Sequence, residues 1–216
     1  MHSRFRDRFH AGKELATRLT PYANHANALV LGLPRGGVPV AYEIAKALHL
    51  PLDICLVRKL GVPGHRELAM GAIASGGVRI LNYDVISSMA LSDKILEYVT
   101  ALELRELQRR EQSYRDDRLQ PEICDRTIIL VDDGLATGAT MRAAIAVLQK
   151  QDPKDLIVAV PVASLESCQA IEAEVDKVVC LSTPEPFYAI GFWYENFDQT
   201  TDDQVRTLLA KQLTTA

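Results

Sequence analysis

The chain has little that would carry it out of a reducing, aqueous compartment. Among its four cysteines, Cys55, Cys124, Cys168 and Cys180, no C-x-x-C pair occurs, and each lies in or beside an apolar run, so buried reduced thiols are expected. No apolar run approaches the length of a bilayer span, and the opening M-H-S-R-F-R-D-R-F-H has charges where a signal core would need apolar residues. A soluble protein of the cytoplasm is the expectation. Excess positive charge is missing too: the net charge is -4, with Lys and Arg dispersed, which leaves no basic footprint for nucleic acid. Internal repeats, low-complexity tracts and linkers are absent. What is present, 216 residues of which 48% are hydrophobic, suffices for one large α/β core or a core with a small appendage.

The stretch Thr127 to Thr140, T-I-I-L-V-D-D-G-L-A-T-G-A-T, organises the rest. Thr127 to Val131 has no polar alternation and reads as a strand buried on both faces, delivering Asp132 and Asp133 to its carboxyl edge. Gly134, Thr137, Gly138 and Thr140 then form a small-residue turn at a helix start, where backbone N–H groups converge on an anion. The acids would repel a phosphate in direct contact, whereas vicinal sugar hydroxyls are natural donors to carboxylates. The two halves describe a 5-phosphorylated ribose. No lysine follows Gly138, which excludes G-x-x-x-x-G-K-[ST], and no G-x-G-x-x-G accompanies either strand and turn. The stretch resembles the PRPP-binding motif of type I phosphoribosyltransferases: hydrophobic strand, two acids, a short variable pair, then A/D-T-G-x-T, here without a gap from Ile128 to Thr140.

Alternating strands and helices predict an α/β fold with a mostly parallel, Rossmann-like sheet covered on both faces. Phe5 to Leu19 reads as an amphipathic helix, either covering the sheet edge or, by resemblance, joining a base-binding hood or a dimer contact. Ala28 to Leu33 is the first strand. Pro34-Arg35-Gly36-Gly37 follows, then a helix over Val38 to Leu48. Alone, P-R-G-G is compatible with a plain tight turn; the resemblance makes it the pyrophosphate loop, with Arg35 forking onto two phosphate oxygens. Leu52 to Val57 is the next strand, ending at Arg58 and Lys59, which are either solvated or, as in similar enzymes, countering the leaving pyrophosphate. Glycines interrupt every apolar period from Leu60 to Asn82. The resemblance makes residues 60–82 a flexible hairpin closing over the ribose, with His65, Arg66 and Glu67 near its tip; a mobile loop with solubilising charges reads the same.

Ser92 caps a helix to about Arg118 with an apolar stripe of Ile95, Val99, Leu102 and Leu107. Met141 to Lys150 and Ser164 to Glu174 read as helices, Leu156 to Val162 and Val178 to Leu181 as buried strands, and Thr200 to Leu213 as a closing helix. The tail from Thr183 concentrates Phe187, Tyr188, Phe192, Trp193, Tyr194 and Phe197. These aromatics either stack on a planar heterocycle under a hood, with Phe187, Tyr188 and Trp193 as base-binding candidates, or serve as a dimer contact or core plug.

The resemblance implies a single phosphoribosyltransferase domain over residues 1–216, an α/β core at 28–181 and a hood contributed by 183–216. Asp132 and Asp133 would hold the ribose hydroxyls, and Gly134, Ala136, Thr137, Gly138, Ala139 and Thr140 the 5-phosphate. Arg35, Gly36, Gly37, Arg58 and Lys59 would meet pyrophosphate, with Mg²⁺ bound mainly through PRPP. The expected reaction passes the phosphoribosyl group to a nitrogen of a nucleobase-like heterocycle; the alternative is a non-catalytic PRPP or nucleotide sensor on the same fold. A homodimer without nucleic-acid or membrane partners goes with either. Hypoxanthine-guanine type enzymes place an aspartate before the Thr-Gly pair, where this chain has Ala136, so Glu67 or His65 becomes the candidate proton acceptor.

Overall fold

The computed structural model describes residues 4–115 and 119–213, without the side chains of Arg66, Glu67 and Leu213. In chain order the elements are α1 (Arg8–Arg18), β1 (Ala28–Gly32), α2 (Gly37–Leu48), β2 (Leu52–Ile54), β3 (Val57–Val62), β4 (His65–Ala74), β5 (Arg79–Leu81) and α3 (Tyr83–Ser88). There follow α4 (Asp93–Arg115), β6 (Thr127–Val131), α5 (Ala139–Gln149), β7 (Asp155–Val162), α6 (Leu165–Glu172), β8 (Lys177–Ser182) and α7 (Asp202–Leu213). They separate into two compact units, one of Met1–Cys55, Pro121–Gly138 and Asp152–Ala216, the other of Leu56–Gln120 and Ala139–Gln151.

The first unit holds a parallel five-stranded sheet ordered β2-β1-β6-β7-β8. β1 and β6 are buried at every position, the condition that makes a parallel strand a continuous apolar run. α1 and α2 pack together, and Ala11, Leu15, Val40 and Ile44 on their apolar stripes lose all exposure. Asp7 caps α1 by accepting from the His10 N–H at 2.7 Å.

The start of the second unit corrects one expectation. The predicted strand Leu52–Val57 is broken: β2 ends at Ile54 and Val57 opens β3. Cys55 and Leu56 are buried between the two strands, so the apolar run gives no sign of the break. Arg58 and Lys59 therefore lie inside an antiparallel strand, not at the end of a parallel one. The glycine-rich stretch from Leu60 to Asn82 holds the turn of the antiparallel β3-β4 hairpin, with register shifts around Gly61, and β5 beside β4. Ala72 and Ala74 of that sheet pack against Val147 of α5.

α4 starts one residue past Ser92, and the predicted extension over 116–118 lies outside the described residues. Its seam is Leu96, Val99 and Leu107, whereas Leu102 keeps 52% of its exposure. Glu103, not Leu102, falls in line with that seam at 3.6 residues per turn, and Arg58 Nη2 binds its Oε2 at 2.6 Å. Of the cysteines, Cys55 and Cys168 are buried as expected, Cys180 is half-buried, and Cys124 is exposed.

Candidate active site

β1 and β6 are adjacent and parallel in even register, from Ala28 opposite Thr127 to Gly32 opposite Val131, so their carboxyl ends are level. From β1 the chain passes to β2 on one flank, while β6 leads through β7 to β8 on the other. The loops after β1 and β6 thus flank the switch point of an open parallel sheet, where such folds leave a crevice.

The loop after β1 leaves the sheet with the Leu33 N–H donating to the Val131 carbonyl at 2.8 Å. The Pro34–Arg35 peptide is cis. A Cβ on Gly36 would stand 2.0 Å from Asp133 Oδ2, and one on Gly37 would stand 2.6 Å from the Val131 carbonyl oxygen. Only residues without side chains let this loop lie directly on the two acids. Arg35, next in line, pairs with Asp202 at the start of α7, Nη1 to Oδ1 3.6 Å.

Asp132 Oδ1 accepts the Asp133 N–H at 2.8 Å. Burial pushes the Asp132 carboxyl well above its ordinary range, and the neighbouring Asp133 charge adds to the rise. Burial also raises Asp133, opposed by the Arg8 guanidinium. Arg8 Nε donates to Asp133 Oδ2 at 2.8 Å, and the Tyr194 hydroxyl donates to the Asp133 backbone carbonyl at 2.6 Å. Burial and the Asp133 charge together push the Tyr194 phenol upward, so it stays a donor.

The turn after the acids is held from behind. Leu135 N–H donates to the Val162 carbonyl at 2.8 Å and the Leu135 carbonyl accepts from Ser164 N–H at 3.0 Å. The Ala136 carbonyl accepts from the hydroxyls of Ser164 and Ser167. In a trans peptide the N–H opposes the C=O, so the exposed Thr137 turns its amide away from α6. Gly138 follows at φ 71°, a left-handed conformation that suits glycine, and Ala139 and Thr140 open α5.

A family model described as Phosphoribosyl transferase domain matches residues 6–193, a span that includes the acids, the glycine loop and the amide turn. The chain belongs to that family. A Mycobacterium tuberculosis protein provisionally named a phosphoribosyl transferase is 46% identical to this family member over 205 residues, 95% of this chain and 46% of its own length. The chain therefore spans about half the length of the curated relatives it matches. The crystal structure of TT1426 from Thermus thermophilus superposes with a TM-score of 0.87 at 42% identity, covering 97% of this chain and 99% of that one. The AQ2163 protein of Aquifex aeolicus shares the fold, with a TM-score of 0.52 at 13% identity over 85% of this chain and 78% of its own.

Of the residues expected at a phosphoribosyl transferase site, the structure brings Arg35, Gly36, Gly37, Asp132, Asp133, Gly134, Ala136, Thr137 and Gly138 to one edge of the first unit. Ala139, Thr140, Arg58, Lys59 and Glu67 belong to the second unit. The Glu67 side chain lies outside the described residues. The aromatic tail divides: Phe187 and Trp193 pack against the cluster of Phe5, Ala11, Val162 and Tyr194, whereas Tyr188 stays 70% exposed with its ring 5.4 Å from that of Phe192. Ile190, in the short 3-10 turn Ile190–Trp193, presses on Gly134, where a Cβ would stand 2.6 Å from Ile190 Cγ2. Sequence reasoning missed Arg8, Ile190 and the Tyr194 hydroxyl. Arg8 had one signal: a cation at the first position of a helix opposes the macrodipole and asks for a partner elsewhere.

Proposed function

We propose that the chain transfers the 5-phosphoribosyl group of PRPP to a nitrogen of a nucleobase-like heterocycle and releases pyrophosphate. The observation that carries this reading is the packing of Gly36 and Gly37 on Asp132 and Asp133 at the switch point between β1 and β6. A phosphate at the Thr137–Gly138 amides, a ribose at the acid pair and a pyrophosphate at the Arg35–Gly37 loop would then belong to one molecule.

In the transfer the C1–oxygen bond to pyrophosphate breaks, a C1–nitrogen bond forms, and the ring nitrogen loses its proton. The acid pair lends negative potential to a ribosyl centre turning cationic, and Arg35 meets the charge on the departing group once released from Asp202. Ile190 against Gly134 brings the 3-10 turn beside the acids, so the exposed Phe192 of that turn and Tyr188 before it would form the acceptor wall. The parts of Lys59, Arg58 and Glu67 rest on the resemblance alone.

Mg²⁺ fits as a metal carried by the substrate. No group of three or more potential ligands occurs among the described residues, and Mg²⁺ is commonly bound by one or two carboxylates plus substrate phosphates. Of the two acids, Asp132, which has no ion-pair partner among the described residues, would be the carboxylate to hold it. When bound, the metal would neutralise pyrophosphate charge as the C1–oxygen bond lengthens.

The test is pyrophosphate release from PRPP and Mg²⁺ across a panel of purine and pyrimidine bases. Base-dependent release is expected. Binding of PRPP without release above hydrolysis for any base would replace transfer with sensing.

A further inference from the structure

Asp133 carries more internal contacts than a carboxylate reserved for a ligand needs. Its Oδ2 takes the Arg8 Nε at 2.8 Å on one side and lies beneath Gly36 on the other. The Arg8 and Asp133 side chains keep only 10% and 12% of their exposure. The same guanidinium donates through Nη1 to the Asp198 carbonyl at 2.7 Å and lies 3.8 Å from the centroid of the Phe197 ring. Asp132 Oδ1 also lies near the glycine loop, 3.1 Å from where a Cβ on Gly37 would stand, but among the described residues Asp132 has no ion-pair partner, and the hydrogen bond given for its carboxylate comes from the Asp133 amide.

We infer that Arg8 divides the work of the acid pair: it commits the Asp133 carboxylate to an internal ion pair and leaves Asp132 as the carboxylate that accepts the ribose hydroxyls. The inference rests on the sugar-phosphate reading of this site and deepens it. Its physical cause is the cost of two adjacent carboxylates in a desolvated place, where both ionise only if a fixed cation offsets one of them. Arginine suits the task because its fork also reaches Asp198 and its flat face covers Phe197, uses that a lysine ammonium does not match. Arg8 is thereby a positioning residue, tying the tail at Phe197 and Asp198 to the acid pair.

Calorimetry with PRPP and Mg²⁺ on the whole chain, with Asp132→Asn, Asp133→Asn, Arg8→Gln and Arg8→Lys, tests the division. Asp132→Asn is expected to lose at least tenfold more affinity than Asp133→Asn. Arg8→Gln should weaken PRPP binding because Asp133 loses the partner that holds it. Arg8→Lys should bring the affinity part of the way back, a rescue by charge that a merely structural role would not give. Equal losses in the two Asp variants, or an Arg8→Lys that binds PRPP no better than Arg8→Gln, overturn the inference.

A second arm needs no ligand. Thermal unfolding of Arg8→Gln, Asp133→Asn and the double variant should be non-additive, and additivity overturns the ion pair. Should the parent chain show that coupling yet bind no PRPP, the sugar-phosphate reading falls and takes the role of Asp132 with it, while the Arg8–Asp133 pair stands.

Discussion

Gly36 and Asp133 occupy the same small space from opposite loops: a Cβ on the glycine would stand 2.0 Å from Asp133 Oδ2 and 2.6 Å from its Cγ. Gly36→Ala must therefore push the glycine loop off the acid pair or swing the carboxylate from Arg8. We expect a loss of about 1–3 kcal/mol in stability, typical of overpacking. PRPP affinity should fall at least tenfold. Denaturant unfolding beside calorimetry checks both, and wild-type values would show that the two loops separate freely.

The raised Asp132 carboxyl predicts a pH-dependent trade of stability for function. Between its ordinary value of 3.8 and the raised folded one, the unfolded chain has released a proton that the folded chain keeps. The unfolded state binds fewer protons there, so stability falls as pH rises through the window and the deficit persists above it. Asp132→Asn carries no such deficit. It should melt above the parent at neutral pH and lose that advantage towards about pH 4, while transfer slows by about ten- to a thousandfold. Melting curves from pH 4 to 8 decide it; an advantage that does not change with pH would assign the effect to packing.

Tyr194→Phe keeps the ring against Phe5 and Phe197, centroids 5.6 and 4.9 Å away, and deletes the donor to the Asp133 carbonyl. One buried acceptor is left unpaired, which costs about 1–3 kcal/mol. Urea unfolding measures this, and an unchanged midpoint would show another donor, such as water, at that carbonyl.

Gly134→Ala places a methyl 2.6 Å from Ile190 Cγ2. The 3-10 turn at Ile190–Trp193 should shift, raising KM for the heterocycle by more than KM for PRPP. Steady-state kinetics in both substrates check the split, and equal changes would separate Ile190 from the acceptor.

Cys124 alone among the cysteines is exposed, whereas burial pushes the Cys180 thiol up to about 12. Asp125 beside it raises the Cys124 thiol as well, so native maleimide labelling at pH 8 should be slow but confined to Cys124. Mass spectrometry after digestion reads the site. Label on Cys55 or Cys168 would reveal opening of the first unit.

β1 and β6 were legible because burial on both faces leaves an unbroken apolar run, and the acids ending β6 stand out as the first polar residues after it. The glycines of P-R-G-G were also visible, but the sequence could not say what approaches them. The break after Ile54 was hidden, since apolar residues continue through it, and the hairpin that follows was legible only through the resemblance, because its glycines by themselves read as loop.

By itself the sequence determined the parallel core, the amide turn and the placement of two carboxylates at its edge, because these follow from local pattern along one stretch of chain. Tertiary structure alone decided which carboxylate is held in an ion pair. Arg8 stands 125 residues before Asp133, and their pairing across a desolvated edge depends on α1 and the tail meeting there. No periodicity encodes such a meeting; burial and charge balance in the folded chain do.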